Sequence, residues 1–256
     1  MGLWNDIVYG PIRSRRLGVS LGVNLSPVEG KVCTFNCIYC ECGWNKVLKG
    51  CKMPSVQECA VALEERLKGL RGENAQLDVI TFAGNGEPTL HPHFAEVVDV
   101  VVGLRDRYFP AAKVSALSNA TRLGDASVVA ALHKVDNNIL KLDSAIETTW
   151  RLVNQPNDKE LTVAKVVEGI AQFSGECVVQ TLFFKGEYNG YAFDNSSDVE
   201  VAAWLEALQR IRPREVMIYS LDRATPAAGL ERPTIERLRE IAARVEGLGI
   251  KTSVTG

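Results

Sequence analysis

Leu77-Asp78-Val79-Ile80-Thr81-Phe82-Ala83-Gly84-Asn85-Gly86-Glu87 reads as a short buried strand, Leu77 to Ala83, that stops at a polar, glycine-rich turn. A helical stripe follows it at Phe94, Val97, Val98, Val101 and Val102. A capped helix precedes it: Ser55 has Glu58 three residues on, and Val56, Cys59, Ala60, Leu63, Leu67 and Leu70 share one face. The same strand-then-helix rhythm continues in both directions. Strands are expected near Gly18 to Asn24, Lys113 to Leu117, Asn138 to Leu142, Glu176 to Phe184, Glu215 to Tyr219 and Ile250 to Val254. Helices are expected at Asp125 to Leu132, in pieces up to Phe173, and on the stripes Val201, Trp204, Leu205, Leu208, Ile211 and Ile235, Leu238, Ile241, Val245, Leu248. Such alternation predicts an α/β fold with parallel strands, an incomplete (β/α)6 barrel in which the cysteine-rich loop follows the first strand. Residues 1–256 are expected to form a single domain with a short N-terminal extension. In folds of this kind chemistry gathers at the C-terminal ends of the strands. Gly84-Asn85-Gly86-Glu87, Ser118-Asn119, Asp143-Ser144, Lys185 and Ser220 all stand there.

The composition agrees with an ordered globular chain: 256 residues, 46% hydrophobic, 23% charged, and a formal net charge of −2. It excludes a disordered or collagen-like polymer. No apolar run reaches the ~18 residues of a membrane helix; the richest, Val97 to Val102, is interrupted by Asp99. Asp6 spoils both a signal-peptide pattern and the myristoylation pattern that Met1-Gly2 begins. A cytoplasmic protein with reduced thiols is the expectation, so its 7 cysteines are ligands, catalytic groups or core.

The cysteines are not scattered. Cys33-Thr34-Phe35-Asn36-Cys37-Ile38-Tyr39-Cys40 packs three thiols into one short segment, and Cys42 and Cys51 follow closely. Flanking Lys31, Asn36 and Glu41 make this segment too polar for a core strand. Two metal readings remain open on spacing. Cys33, Cys37, Cys40 and Cys42 (or Cys51) would close a tetrahedral zinc site, the basis of a zinc-binding interaction module. Alternatively, three thiolates on a four-iron cluster leave one iron free for a substrate or cofactor. Cys59 and Cys177 lie on apolar faces and read as core.

The spacing Cys33-x-x-x-Cys37-x-x-Cys40, with aromatic Tyr39 before the last thiol, resembles the radical S-adenosylmethionine (SAM) superfamily. Gly84-Asn85-Gly86-Glu87-Pro88 resembles the second motif of that family, the one that holds the SAM amino group. The resemblance implies a 4Fe-4S cluster on Cys33, Cys37 and Cys40 with S-adenosyl-L-methionine chelating the open iron. It also implies reductive cleavage to methionine and a 5′-deoxyadenosyl radical that abstracts hydrogen from substrate. An electron donor such as flavodoxin or ferredoxin is implied with it. More narrowly, the chain resembles the subgroup related to the wyosine tRNA-modification enzymes. Gly10-Pro11, Ser14-Arg15-Arg16-Leu17-Gly18, Ser118-Asn119-Ala120-Thr121, Lys141-Leu142-Asp143 and Asn154-Gln155-Pro156-Asn157 carry that likeness. This chain departs from those enzymes in lacking a flavodoxin-like domain and an upstream cysteine triplet. A tRNA base is the substrate the subgroup implies; a peptide or protein, as for a radical SAM activase, and a small metabolite are alternatives.

The supporting residues carry two readings each. Gly84 and Gly86 make a tight turn or admit a cofactor, and Glu87 fixes that turn or meets the SAM ammonium. Ser118 and Asn119 are a cap or contacts to the SAM carboxylate or ribose. Asp143, Gln180 and Tyr219, from later strands, face ribose, adenine or substrate, or are supporting polar groups. Arg13, Arg15 and Arg16 form a basic patch that faces phosphates, binds the SAM carboxylate, or braces the N-terminal segment through ion pairs. Cys42 and Cys51 would need a further cysteine to hold a second cluster. His91, His93 and His133 have no ligand partners in sequence and read as structural.

Overall fold

The computed structural model describes residues 2–46 and 50–255. Strands β1 (Val8–Ser14), β2 (Gly18–Val23), β3 (Val79–Phe82), β4 (Lys113–Ser118), β5 (Asn137–Lys141), β6 (Val178–Phe183), β9 (Glu215–Ser220) and β10 (Lys251–Thr255) form one sheet in the order β1-β2-β3-β4-β5-β6-β9-β10. β1 is antiparallel to β2, and every other pairing in this sheet is parallel. Helices α1 (Val56–Gly72), α2 (Phe94–Tyr108), α3 (Ala126–Leu132), α4 (Glu147–Asn154), α5 (Val163–Ala171), α6 (Asp198–Ile211) and α7 (Ile235–Glu246) supply the crossovers. The sheet curls into a half-barrel, as the alternation predicts. Among the described residues, no helix is long and apolar enough to cross a membrane.

Local chemistry explains the elements. Ser55 caps α1 with both bonds of the predicted capping box, and Leu63, Leu67 and Leu70 bury that helix's apolar stripe. Each such leucine contributes about 1.5–3 kcal/mol of burial. Cys59 and Cys177 lie in this core, as their apolar settings predicted.

Two elements escape the strand–helix rhythm. β1 lies ahead of the first parallel strand and forms an antiparallel edge; Gly10-Pro11 and a register shift between Tyr9 and Ile12 break its alternation. β7 (Lys185–Tyr188) and β8 (Tyr191–Asp194) form a separate hairpin between β6 and α6. Its turn, Asn189-Gly190, has positive φ at both residues, the geometry that Asn-Gly favours. The cysteine loop leaves the C-terminal end of β2, the first parallel strand.

Inside the curl, alternation along the strands builds layers. Ile139, Val178 and Met217 form an apolar floor with Leu17 and Leu117. Two residues further along the same strands stand Lys141, Gln180 and Tyr219, on the same face. Above them Leu182 and Leu221 join Ile38, Val153, Phe184, Phe193 and Ala227 in a second apolar cluster.

Candidate functional site

The loop that carries the thiols is pinned at its base. The Lys31 and Lys46 backbones exchange hydrogen bonds of 3.0 and 3.2 Å. Lys31, almost fully buried, donates from Nζ to the Gly43 carbonyl at 2.8 Å. Asn45 Nδ2 donates to the carbonyls of Cys33 and Phe35, both at 3.0 Å. The segment after α4 holds the outer side. The Ile38 amide donates to Val153, the Asn157 amide donates to Thr34, and Asn157 Nδ2 donates to the Cys33 carbonyl. Asn154-Gln155-Pro156-Asn157 is therefore the bed on which the cysteine loop lies.

Two of the three thiols have an amide donor beside them. Asn119 Nδ2 stands 3.5 Å from Cys33 Sγ, and Asn154 Nδ2 stands 3.5 Å from Cys37 Sγ. Burial, with Glu87 adding to it, pushes the Cys33 thiol up to about 12, and burial raises Cys37 as well. The neighbouring Cys42 thiol and the Lys31 ammonium draw Cys40 down to about 6 against burial, while Cys42 is raised. Cys42 Sγ donates to the Gly84 carbonyl at 3.4 Å, which ties this loop to the glycine turn. Cys51 is half-buried. Among the described residues, no group of three or more His, Cys, Asp or Glu is placed to hold a single metal ion. A four-iron cube takes one thiolate at each of three corners, and three soft sulfurs, two of them with N–H donors beside them, are a donor set that fits it.

The glycine turn is welded to the cysteine loop. The Val32 amide donates to the Asn85 carbonyl, and the Glu87 amide to the Val32 carbonyl, both at 3.0 Å. A Cβ on Gly86 would lie 1.8 Å from the Val32 oxygen, and one on Gly84 (φ +152°) would lie 2.3 Å from Asn24 Oδ1. The close approach these glycines allow is thus to Val32 and Asn24. Asn85 is fully buried: its Oδ1 accepts from the Trp4 amide at 2.7 Å, and its Nδ2 donates to the Trp4 and Pro27 carbonyls. Its side chain clasps the N-terminal segment, where Trp4 stacks on Tyr9 at 3.8 Å. Glu87 is buried and engaged at both oxygens, accepting from Thr89 on one and from the Asn119 amide at 2.7 Å on the other. Burial raises its carboxyl above the ordinary value. Ser118 Oγ accepts from the Ala120 amide, and Asn119 Oδ1 accepts from Thr121. Gly84, Asn85, Gly86, Glu87, Ser118 and Asn119 are therefore gathered beside Cys33.

Tyr39, Asp143, Gln180 and Tyr219 form a second group, on the side of Cys37. Asp143 has no exposed side-chain surface. Its Oδ2 accepts from the Tyr39 hydroxyl, from Lys141 Nζ at 2.9 Å and from Asn154 Nδ2 at 2.7 Å; its Oδ1 accepts from the Leu182 amide. Asn154 thus joins the Asp143 carboxylate to the Cys37 sulfur. Lys141 lies over the Tyr39 ring at 4.4 Å. Burial pulls its ammonium down, but Asp143, Cys37 and Tyr219 together hold it above its ordinary value. Gln180 Nε2 donates to the Tyr219 hydroxyl at 2.9 Å, and the Arg16 guanidinium stacks over the Tyr219 ring at 4.3 Å. Lys141, Asn154, Asn157, Asn45 and Asn24 were not among the residues the motifs singled out for the site. Lys141 and Asn154 stand in the segments that carry the subgroup likeness, which is the one signal pointing to them.

Arg15 and the three histidines are engaged by partners within the fold. Arg15 pairs with Asp222 at 3.1 Å. His91 bonds the Pro54 carbonyl and the His93 amide, while His93 pairs with Glu96 and His133 with Glu176, each at 2.7 Å.

No family model matches the chain. It is similar in fold to a radical SAM methyltransferase from Sphaerobacter thermophilus, with a TM-score of 0.66 and 15% identity over 92% of this chain and 65% of that one. It is likewise similar to TYW1 solved with a lysine-pyruvate adduct bound: TM-score 0.59, 13% identity, 89% of this chain and 73% of that one. Those likenesses are to the half-barrel. In sequence, the chain is 32% identical over 221 residues to the UPF0026 protein of Helicobacter pylori (strain J99 / ATCC 700824), spanning 85% of this chain and 67% of that protein. With that identity along most of both chains, this protein belongs to the UPF0026 family.

Proposed function

We propose that the protein is a radical SAM enzyme in which Cys33, Cys37 and Cys40 hold a 4Fe-4S cluster at the mouth of the half-barrel. The observation that carries this reading is the seating of the thiols. A loop pinned at both ends presents Cys33 and Cys37 to amide donors from the turn just after β4 and from the last residue of α4, on the side where such folds do their chemistry. When bound, the cluster and SAM supply a one-electron cleavage that ends in hydrogen abstraction from a substrate.

The chain's own contribution is positioning and exclusion. Asn119 and Asn154 orient two ligand sulfurs and stabilise their negative charge. Gly84, Asn85, Gly86 and Glu87 hold the turn against Val32, which leaves the turn's outer edge, with Ser118 and Asn119, to meet the methionine part of SAM. Tyr39 and Asp143 fix the far side of the loop. Gln180 and Tyr219 line the interior for ribose, adenine or substrate. Ile38, Phe184 and Phe193, packed above Lys141, keep water from the interior. Residues 1–256 act as one domain. A cytoplasmic setting would keep the thiols reduced and supply the low-potential reductant, a flavodoxin or ferredoxin. A tRNA base is the substrate suggested by the subgroup likeness; a peptide and a small metabolite are the alternatives.

Anaerobic reconstitution with iron and sulfide tests the proposal. The protein is expected to turn brown, to change its spectrum when SAM is added, and to release 5′-deoxyadenosine with dithionite. Cys37→Ala is expected to abolish the product. A colourless protein that takes up zinc in place of iron ends the proposal.

A further inference from the structure

The polar layer inside the half-barrel carries more positive than negative charge. Lys141 and Arg16 bring two cations, while the carboxylate among the described residues that meets this layer, Asp143, accepts from Tyr39, Lys141, Asn154 and the Leu182 amide. Arg16 makes no ion pair among the described residues. Its guanidinium carbon lies 4.3 Å from the centre of the Tyr219 ring, and its Nη1 is buried with no hydrogen-bond partner. Gln180, whose Nε2 holds the Tyr219 hydroxyl, likewise leaves Oε1 buried and unpartnered. Arg16 as a whole is half-buried, and a buried polar atom left without a partner is costly. Two buried polar atoms without partners beside one tyrosine leave hydrogen-bonding capacity for a ligand to meet.

The position of Arg16 is imposed. Leu17, next in sequence, packs into the apolar floor with Ile139, Val178 and Met217, which anchors the hairpin tip against the chamber. Arg15, on the other side, is held outward by Asp222. Arg16 is thereby presented to the interior, where Lys141 is only 15% exposed. A guanidinium edge is a planar fork that matches carboxylate or phosphate oxygens.

We infer that the half-barrel binds a small molecule through a carboxylate or phosphate held by Arg16, with the Lys141 ammonium adding to the field. This deepens the proposed function and rests on it, since it makes the substrate, or a co-substrate, a small anion seated below the cysteine loop. A neutral base inserted alone would leave Arg16 unmatched.

The test is calorimetric binding of inorganic phosphate and of acetate, at constant ionic strength balanced with chloride, to the reconstituted full-length protein. At least one anion is expected to bind saturably, and the arm that binds tells phosphate from carboxylate. Arg16→Gln is expected to weaken it at least tenfold, Arg16→Lys by less, and the exposed Arg13→Gln not at all. Circular dichroism melting checks that each variant is folded. The inference is overturned if neither anion binds saturably, if Arg16→Gln binds as tightly as the parent, or if that variant weakens SAM binding and not anion binding. The two proposals fail separately. Anion binding through Arg16 in a protein that never cleaves SAM sinks the radical reading and leaves the anion site. Release of 5′-deoxyadenosine without Arg16-dependent anion binding does the reverse.

Discussion

At the residue scale, the three thiols are legible in the sequence because their spacing is local. Their supports are not. Asn119 is 86 residues from Cys33 and Asn154 is 117 residues from Cys37, and nothing in either neighbourhood announces that an amide will turn toward sulfur. The glycines show the same limit. Two glycines in a turn foretell close approach, but only the fold says that the approach is to Val32 and Asn24. Gly86→Ala is therefore expected to open the contact between the two loops. It should cost about 1–3 kcal/mol, the usual range for overpacking, and lower the iron retained after reconstitution; urea denaturation and iron analysis measure the two effects. Asn154→Ala removes a donor from both Cys37 and Asp143. A loss of about 1.5–3 kcal/mol is expected from the bond to the carboxylate. With one N–H fewer at the cluster, its reduction potential should fall, which a redox titration reads.

At the element scale, the parallel strands and the longer helices follow from apolar periodicity, and their ends agree within a few residues. β1 was hidden by Gly10-Pro11, which interrupts alternation while suiting an edge. The β7–β8 hairpin carried its own signal in Asn189-Gly190, and a strand-to-helix rhythm has no place for it. One junction offers a pH test. Arg105 on α2 joins Asp136, which also accepts from the Val114 amide at the start of β4. Burial pushes the Asp136 carboxyl up, but Val114 and Arg105 outweigh it and hold it below the ordinary carboxylate value. The folded state then binds that proton less tightly than the unfolded one. The stabilisation is full above the ordinary value, about pH 4, and is lost as pH falls through the depressed value. Asp136→Asn should lower stability by about 1 kcal/mol at neutral pH, discounted for the partial exposure of the pair. The difference from the parent should vanish near pH 2, as denaturation at several pH values would show.

At the scale of the whole molecule, a formal charge of −2, with arginines spread in short runs such as Arg13 to Arg16 and Arg210 to Arg214, makes a poor match for a nucleic-acid backbone. Turnover of the physiological substrate is expected to change little between about 50 and 200 mM salt, whereas contacts to several phosphates would weaken by orders of magnitude over that range. Comparing metabolites and RNA modifications in cells with and without the gene, followed by a salt series on the compound found, measures this.

The clasp between Asn85 and Trp4 has a practical side for anyone who expresses the protein. An affinity tag spliced ahead of Trp4 would tug on the strap that steadies the Gly84–Glu87 bend, from only a few residues away. Enzyme purified with such a handle should load iron poorly or melt early, and clipping the handle off should restore both.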